Sequence, residues 1–216
     1  MSFKLKKSSI PNYLTILRII LVPIIIAFTC CNFGPILYYS TLPNTEIKQP
    51  FYLSWILAGI LFIIASITDF LDGFLSRKFN WVSDFGKLWD PIADKILINS
   101  ILIIFAGANP NRAMTVYFII PVLMIIRDTI VDACRMYAAS KGIVVAANIY
   151  GKMKTFTQII AIALIYFLYA WNFAYASTNI WWWLVQNLFM WISLFLSLLS
   201  GSIYVYRITK QLKVNK

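Results

Sequence analysis

Residues 66–95 read Ser66-Ile-Thr-Asp69-Phe-Leu-Asp72-Gly73-Phe-Leu-Ser76-Arg77-Lys78-Phe-Asn-Trp-Val-Ser-Asp84-Phe-Gly86-Lys87-Leu-Trp-Asp90-Pro91-Ile-Ala-Asp94-Lys95. Five of the eight acidic residues of the chain, Asp69, Asp72, Asp84, Asp90 and Asp94, fall in this stretch, and long apolar runs flank it on both sides. Positions three or four apart share a face of a helix. Asp69, Asp72 and Gly73 therefore point together near the end of one apolar segment, and Asp90 and Asp94 do so at the start of the next. The short link from Lys78 to Gly86 folds the two segments antiparallel and brings the carboxylate pairs face to face.

Working outward, the chain has 216 residues, of which 61% are hydrophobic and 12% charged, a composition far from that of a soluble domain. A bilayer core takes about 20 apolar residues per helix. Six stretches approach that length, at roughly 12–32, 51–76, 88–108, 115–139, 154–171 and 180–206. The expected fold is an all-α integral membrane bundle of six transmembrane helices. A β-barrel would alternate polar and apolar residues, whereas Ile19 to Phe28 and Ile159 to Phe167 run apolar without alternation. One domain is expected, with a basic juxtamembrane segment at 1–11, the six-helix domain at 12–208 and a basic tail at 209–216.

The net charge of +11 would suggest nucleic acid in a soluble protein, but here topology accounts for it. Six crossings place Lys4, Lys6 and Lys7, then Arg77, Lys78 and Lys87, then Lys141, Lys152 and Lys154, then Arg207, Lys210, Lys213 and Lys216 on one side. Only Lys48 and Arg112 fall on the other. The positive-inside rule makes the first side, with both termini, cytoplasmic, and no nucleic-acid partner is implied. The basic, apolar-interrupted segment Phe3 to Ile10 suits the inner leaflet, and Trp181, Trp182 and Trp183 suit an outer interfacial belt. Residues 27–29 make a poor signal-peptidase site, because bulky side chains precede them. Cys30, Cys31 and Cys134 have no metal-binding spacing.

An acidic side chain in or beside a membrane helix is costly unless paired, coordinated or solvated, and so marks a functional site by default. Four converging carboxylates repel one another, and the cluster demands a counter-charge. Ion pairs to Arg77, Lys78, Lys87 and Lys95 are the bland solution. Bound divalent metal is the simpler one for four acids at these spacings, and oxygen-only ligands favour Mg²⁺, Mn²⁺ or Ca²⁺. Four carboxylates can bridge two ions, as in two-metal phosphoryl chemistry.

From Asp69 to Asp94 the spacing D-x2-D-G-x2-S-R-x8-G-x3-D-x3-D resembles the signature of the CDP-alcohol phosphatidyltransferases, whose pattern carries Ala where this chain has Ser76. The resemblance implies a six-helix fold of that type, Mg²⁺ or Mn²⁺ held by Asp69, Asp72, Asp90 and Asp94, and Asp94 as general base toward an acceptor hydroxyl. It further implies that Asp72, Gly73, Arg77 and Gly86 bind CDP-diacylglycerol, the glycines admitting the nucleotide and Arg77 reaching its phosphate. The resemblance also implies a homodimer. The composition implies an integral membrane protein, expected in a bacterial plasma membrane with a mitochondrial inner membrane as the alternative, and the charge asymmetry puts the active site at the cytoplasmic face.

Similarity to the branch of that family whose acceptor is glycerol 3-phosphate extends to Ile10-Pro-Asn-Tyr-Leu-Thr-Ile-Leu-Arg18, to Asp90-Pro-Ile-Ala-Asp94-Lys95, and to a third stretch containing Arg127-Asp128, Arg135, Ala139 to Ala147 and Gly151 to Thr155. It departs at Met136, where that branch carries an acid. A dianionic acceptor calls for a basic pocket near the metals, and Arg127, Arg135, Lys141, Lys152, Lys154 and Arg207 are its candidates. Arg127, deep in an apolar helix, is costly without an anion; pairing with one of the chain's own acids is the other reading. Asp128, Asp132 and Arg135 share a stripe, which offers Arg135 acids as well. Serine, inositol phosphate and phosphatidylglycerol remain open as acceptors. A phospholipase-D-like mechanism is excluded, because it needs histidine and the chain has none. A divalent-cation transporter would carry its acids at mid-membrane rather than at an edge beside cations.

Overall fold

Each of the six apolar stretches folds as a helix. A computed structural model describes residues 10–31, 34–41, 48–79, 81, 84–107, 116–142, 149–171 and 180–214. Among them run α1 (Ile10–Cys30), α2 (Leu53–Phe79), α3 (Asp84–Ala106), α4 (Ile119–Ser140), α5 (Ile149–Trp171) and α6 (Ile180–Val214). Pro11 stands in the first turn of α1, where its missing N–H has no intrahelical partner to lose. Gly142, at φ +71°, ends α4, its N–H donating to the Ala139 carbonyl at 2.9 Å. The last helix runs to Val214, into the stretch read as a basic tail. The helical class therefore holds, with one addition. Strands β1 (Ile36–Thr41) and β2 (Lys48–Tyr52) pair antiparallel between α1 and α2.

Pro11–Cys30, Leu53–Ser76 and Asn187–Gln211 are long and apolar enough to cross a bilayer, with mean hydropathies of 2.3, 2.0 and 1.9. Their large apolar side chains face outward as well as inward. Ile16, Leu17 and Ile20 on α1 and Ile60, Ile64 and Ile67 on α2 are exposed, as expected where lipid is the solvent. Charged residues interrupt α3 and α4.

The chain forms two compact units, Met1–Ile104 with Ala163–Asn179, and Phe105–Ile162 with Ile180–Lys216. In the first, α1 packs on α2, and Tyr166 from the end of α5 ties both. Its hydroxyl lies 2.8 Å from Thr29 Oγ1, its carbonyl accepts from Trp55 Nε1 at 2.9 Å, and its ring packs against Trp55 and Phe62. The link after α2 is closed by the Trp81 N–H donating to the Ser76 carbonyl and by Trp81 stacking on Phe79. In the second unit α4 packs on α6, around buried Val131, Ala138, Tyr204 and Ile208 with Cys134 beside them. The cysteines are free thiols.

Gly59 permits the α2–Tyr166 contact. A Cβ there would lie 2.8 Å from Tyr166 Cβ and 3.1 Å from its Cγ, neither of them the mobile end of a side chain. Gly59→Ala is expected to cost about 1–3 kcal/mol through overpacking, read as a lower thermal midpoint in detergent. An unchanged midpoint would refute the close approach.

Candidate active site

Thr15 on α1 sits where the carboxylates meet. Its Oγ1 lies 2.5 Å from Asp90 Oδ1, 3.1 Å from Asp72 Oδ2 and 3.1 Å from the Pro11 carbonyl. Helix α2 supplies Asp72 and α3 supplies Asp90, so one carboxylate of each expected pair meets the other through a residue of a third helix. Ser76, where the family pattern has Ala, donates to the other oxygen of Asp72, Oδ1, at 3.3 Å. Asp72 is 1% exposed.

The counter-charge comes from Arg18, one turn beyond Thr15 on the same face of α1. Its Nη1 is 2.5 Å from Asp69 Oδ1 and its Nη2 3.8 Å from Asp72 Oδ2. Arg18 is fully buried. Neither Thr15 nor Arg18 was assigned a role from sequence, although an Arg inside the apolar run Leu14 to Leu21 carries the same signal that singled out Arg127. Pairing across more than fifty residues is what the sequence conceals.

The expected gathering of four carboxylates is not complete. Among the described residues no group of three or more His, Cys, Asp or Glu side chains converges closely enough to hold an ion, because Asp69 is turned toward Arg18. The donor chemistry nonetheless fits a hard divalent cation. One hydroxyl proton faces three acceptor oxygens, leaving an oxygen-rich, proton-poor spot of the kind that Mg²⁺ or Mn²⁺ fills. Asp94 follows one turn after Asp90 on α3 and is half-buried, as is Gly73, whereas Gly86 is buried. Arg77 lies on α2, but its side chain is outside the described residues, as are those of Asp84 and Lys87.

The basic candidates belong to the second unit. Lys154 Nζ contacts both oxygens of Asp128, at 2.6 and 2.8 Å, and Arg127 Nη1 donates to Asp128 Oδ1 at 2.6 Å. Arg127 is thus paired with one of the chain's own acids, and two cations share one carboxylate. Helix α6 comes close to this cluster at Gly201, where a Cβ would lie 2.8 Å from Arg127 Nε. A cleft of about 500 Å³ opens there, walled by Leu123, Ile126, Ile130, Leu198 and Val205, with Arg127 on its lining. Arg135 lies over the Tyr204 ring and donates to its hydroxyl at 3.4 Å. Lys141, Lys152 and Arg207 are exposed. The residues from Ile143 to Ala147 in the third stretch, Lys4, Lys6 and Lys7, and the side chains of Trp181, Trp182 and Trp183 are outside the described residues.

A protein-family model covers the stretch from Asp69 to Asp94 and most of the rest of the chain. The model described as CDP-alcohol phosphatidyltransferase matches residues 8–199. The chain belongs to the CDP-alcohol phosphatidyltransferase family. Its relatives include a Mycoplasma pneumoniae protein named CDP-diacylglycerol--glycerol-3-phosphate 3-phosphatidyltransferase, 35% identical over 99% of this chain and 93% of its own. Proteins of the same name from Mycoplasma genitalium and Bacillus subtilis are 36% and 34% identical, over 98% and 96% of this chain and 88% and 98% of theirs.

Asp128→Asn leaves Lys154 and Arg127 without their shared anion in a buried setting. The expected loss is about 3–5 kcal/mol of stability, measured as the thermal midpoint in detergent at fixed ionic strength. A midpoint within one degree or so of wild type would show that the cluster is solvated.

Proposed function

We propose that the chain transfers the phosphatidyl group of CDP-diacylglycerol to glycerol 3-phosphate, giving phosphatidylglycerophosphate and CMP. The observation that carries this reading is the meeting of Asp72 and Asp90 at Thr15, on a signature whose every interval agrees with the family pattern. The names of the relatives support the acceptor. Two cations on one carboxylate at Asp128 suit a dianionic phosphate, for which Arg127, Lys154, Arg135, Lys141, Lys152 and Arg207 are the candidates.

In the proposed reaction the acceptor hydroxyl gives its proton to Asp94 and attacks the lipid-side phosphorus; the bond from that phosphorus to the bridging oxygen breaks, and CMP leaves with the electron pair. Asp72, Gly73, Arg77 and Gly86 bind the donor, Gly73 and Gly86 by leaving room for the nucleotide and Arg77 by offering a forked donor to phosphate oxygens. Asp69, Asp72, Asp90 and Asp94 would hold Mg²⁺ or Mn²⁺, two ions in the full site, neutralising the diphosphate and the charge that develops on CMP. The distribution of Lys and Arg supports six crossings over residues 12–208, with both termini and the carboxylates at the cytoplasmic face of a bacterial plasma membrane. The family resemblance supports a homodimer.

The test is CMP release by detergent-purified protein from CDP-diacylglycerol and Mg²⁺, with glycerol 3-phosphate, serine, inositol phosphate and phosphatidylglycerol supplied separately. Turnover with glycerol 3-phosphate alone is expected, abolished by EDTA and reduced about 10²–10⁴-fold in Asp94→Asn. Turnover with a different alcohol would replace the acceptor. No CMP with any of the four, from folded protein with metal, would sink the reading.

A further inference from the structure

Arg18 presents a cation where the proposed chemistry needs a metal. It is 0% exposed, and a guanidinium cannot shed its charge by deprotonation. Its two contacts, with Asp69 and Asp72, are ion pairs rather than aligned hydrogen bonds. Among the described residues Nε, Nη1 and Nη2 find no acceptor in hydrogen-bonding geometry. What keeps Arg18 buried is therefore charge neutralisation, and not the directional fork that usually locks an Arg to a carboxylate.

The carboxylates that neutralise Arg18 are two of those that would hold a divalent ion. A guanidinium and a metal on the same pair of carboxylates repel each other strongly where water is scarce, so Asp69 cannot serve both fully. The geometry already divides the cluster along this line: Asp72 and Asp90 meet at Thr15, and Asp69 is drawn to Arg18. We propose that Arg18 is the resident counter-cation of the cluster, a positioning residue that holds Asp69 and Asp72 while the site is without metal and yields Asp69 when metal loads. This rests on the reading of the carboxylates as a metal site. An ion pair without aligned hydrogen bonds suits a partner that has to be given up, because its loss breaks no directional bond. Arg18 then does two things: it prevents the acidic helices from repelling one another before loading, and it lowers the affinity for metal.

The test uses the full chain in detergent, as wild type, Arg18→Met and Arg18→Gln. Mn²⁺ binding is followed by the loss of the free-ion electron paramagnetic resonance signal, and thermal unfolding is recorded with and without Mn²⁺. Removing the charge is expected to tighten Mn²⁺ binding about tenfold, to lower the metal-free midpoint, and to enlarge the rise in midpoint that Mn²⁺ produces. A residue needed only for packing would lower both midpoints alike and leave Mn²⁺ affinity unchanged, and that result overturns the inference. So does weaker Mn²⁺ binding in the variants. Should neither variant fold even with Mn²⁺ present from extraction onward, the inference also fails, because metal ought to replace the missing charge. If wild type itself takes up no Mn²⁺, the metal reading falls, and this inference with it.

Discussion

A guanidinium buried in an apolar helix has to find negative charge, and the first unit is arranged around that necessity. Arg18 stands on α1 with apolar neighbours on every other face. In lipid there is little hydrophobic preference for one side of such a helix over another. The rotational setting of α1 is therefore decided by its polar positions, Thr15 and Arg18, which are three residues apart. Asp69 and Asp72, also three apart, set α2 in the same way. The close packing of α1 on α2 follows from matching these two short polar stripes, and Asp90 on α3 joins through Thr15.

The second unit has the opposite balance. There one carboxylate, Asp128, receives both Lys154 and Arg127, whereas in the first one guanidinium contacts two carboxylates. A site short of positive charge suits a cation, and one rich in it suits a phosphate. Those are the two kinds of ligand that the proposed transfer requires. Gly201 of α6 contributes by omission, since any side chain there would meet Arg127 of α4.

The sequence reveals what depends on local periodicity and conceals what depends on distant pairing. The six helices among the described residues were readable because each carries a long apolar run, three of them long enough to cross a bilayer, and the acid spacings were readable because three and four residues make about one turn. The hairpin β1–β2 was not read, since the Pro and Gly residues around it mark turns and Pro50 within β2 argues against a strand. Arg127 was correctly recognised as needing an anion, and its neighbour Asp128 was the nearest acid available. The role of Lys154 in that pairing lies 26 positions away and had no local sign. Arg18 was visible in kind but not in partner, and the contact of Arg135 with Tyr204 joins positions 69 residues apart, which no local spacing reveals.

Tyr166 fastens α1 through Thr29 and α2 through Trp55, while Arg18 fastens the same two helices at Asp69 and Asp72. Along α1 these ties are eleven residues apart, roughly 16 Å of helix. A helix held at one point can still roll about its axis or slide lengthwise; one held at two points this far apart can do neither without breaking a tie. The aromatic contact therefore serves as a ruler for the polar end, fixing which turn of α1 faces which turn of α2 regardless of what occupies the carboxylates.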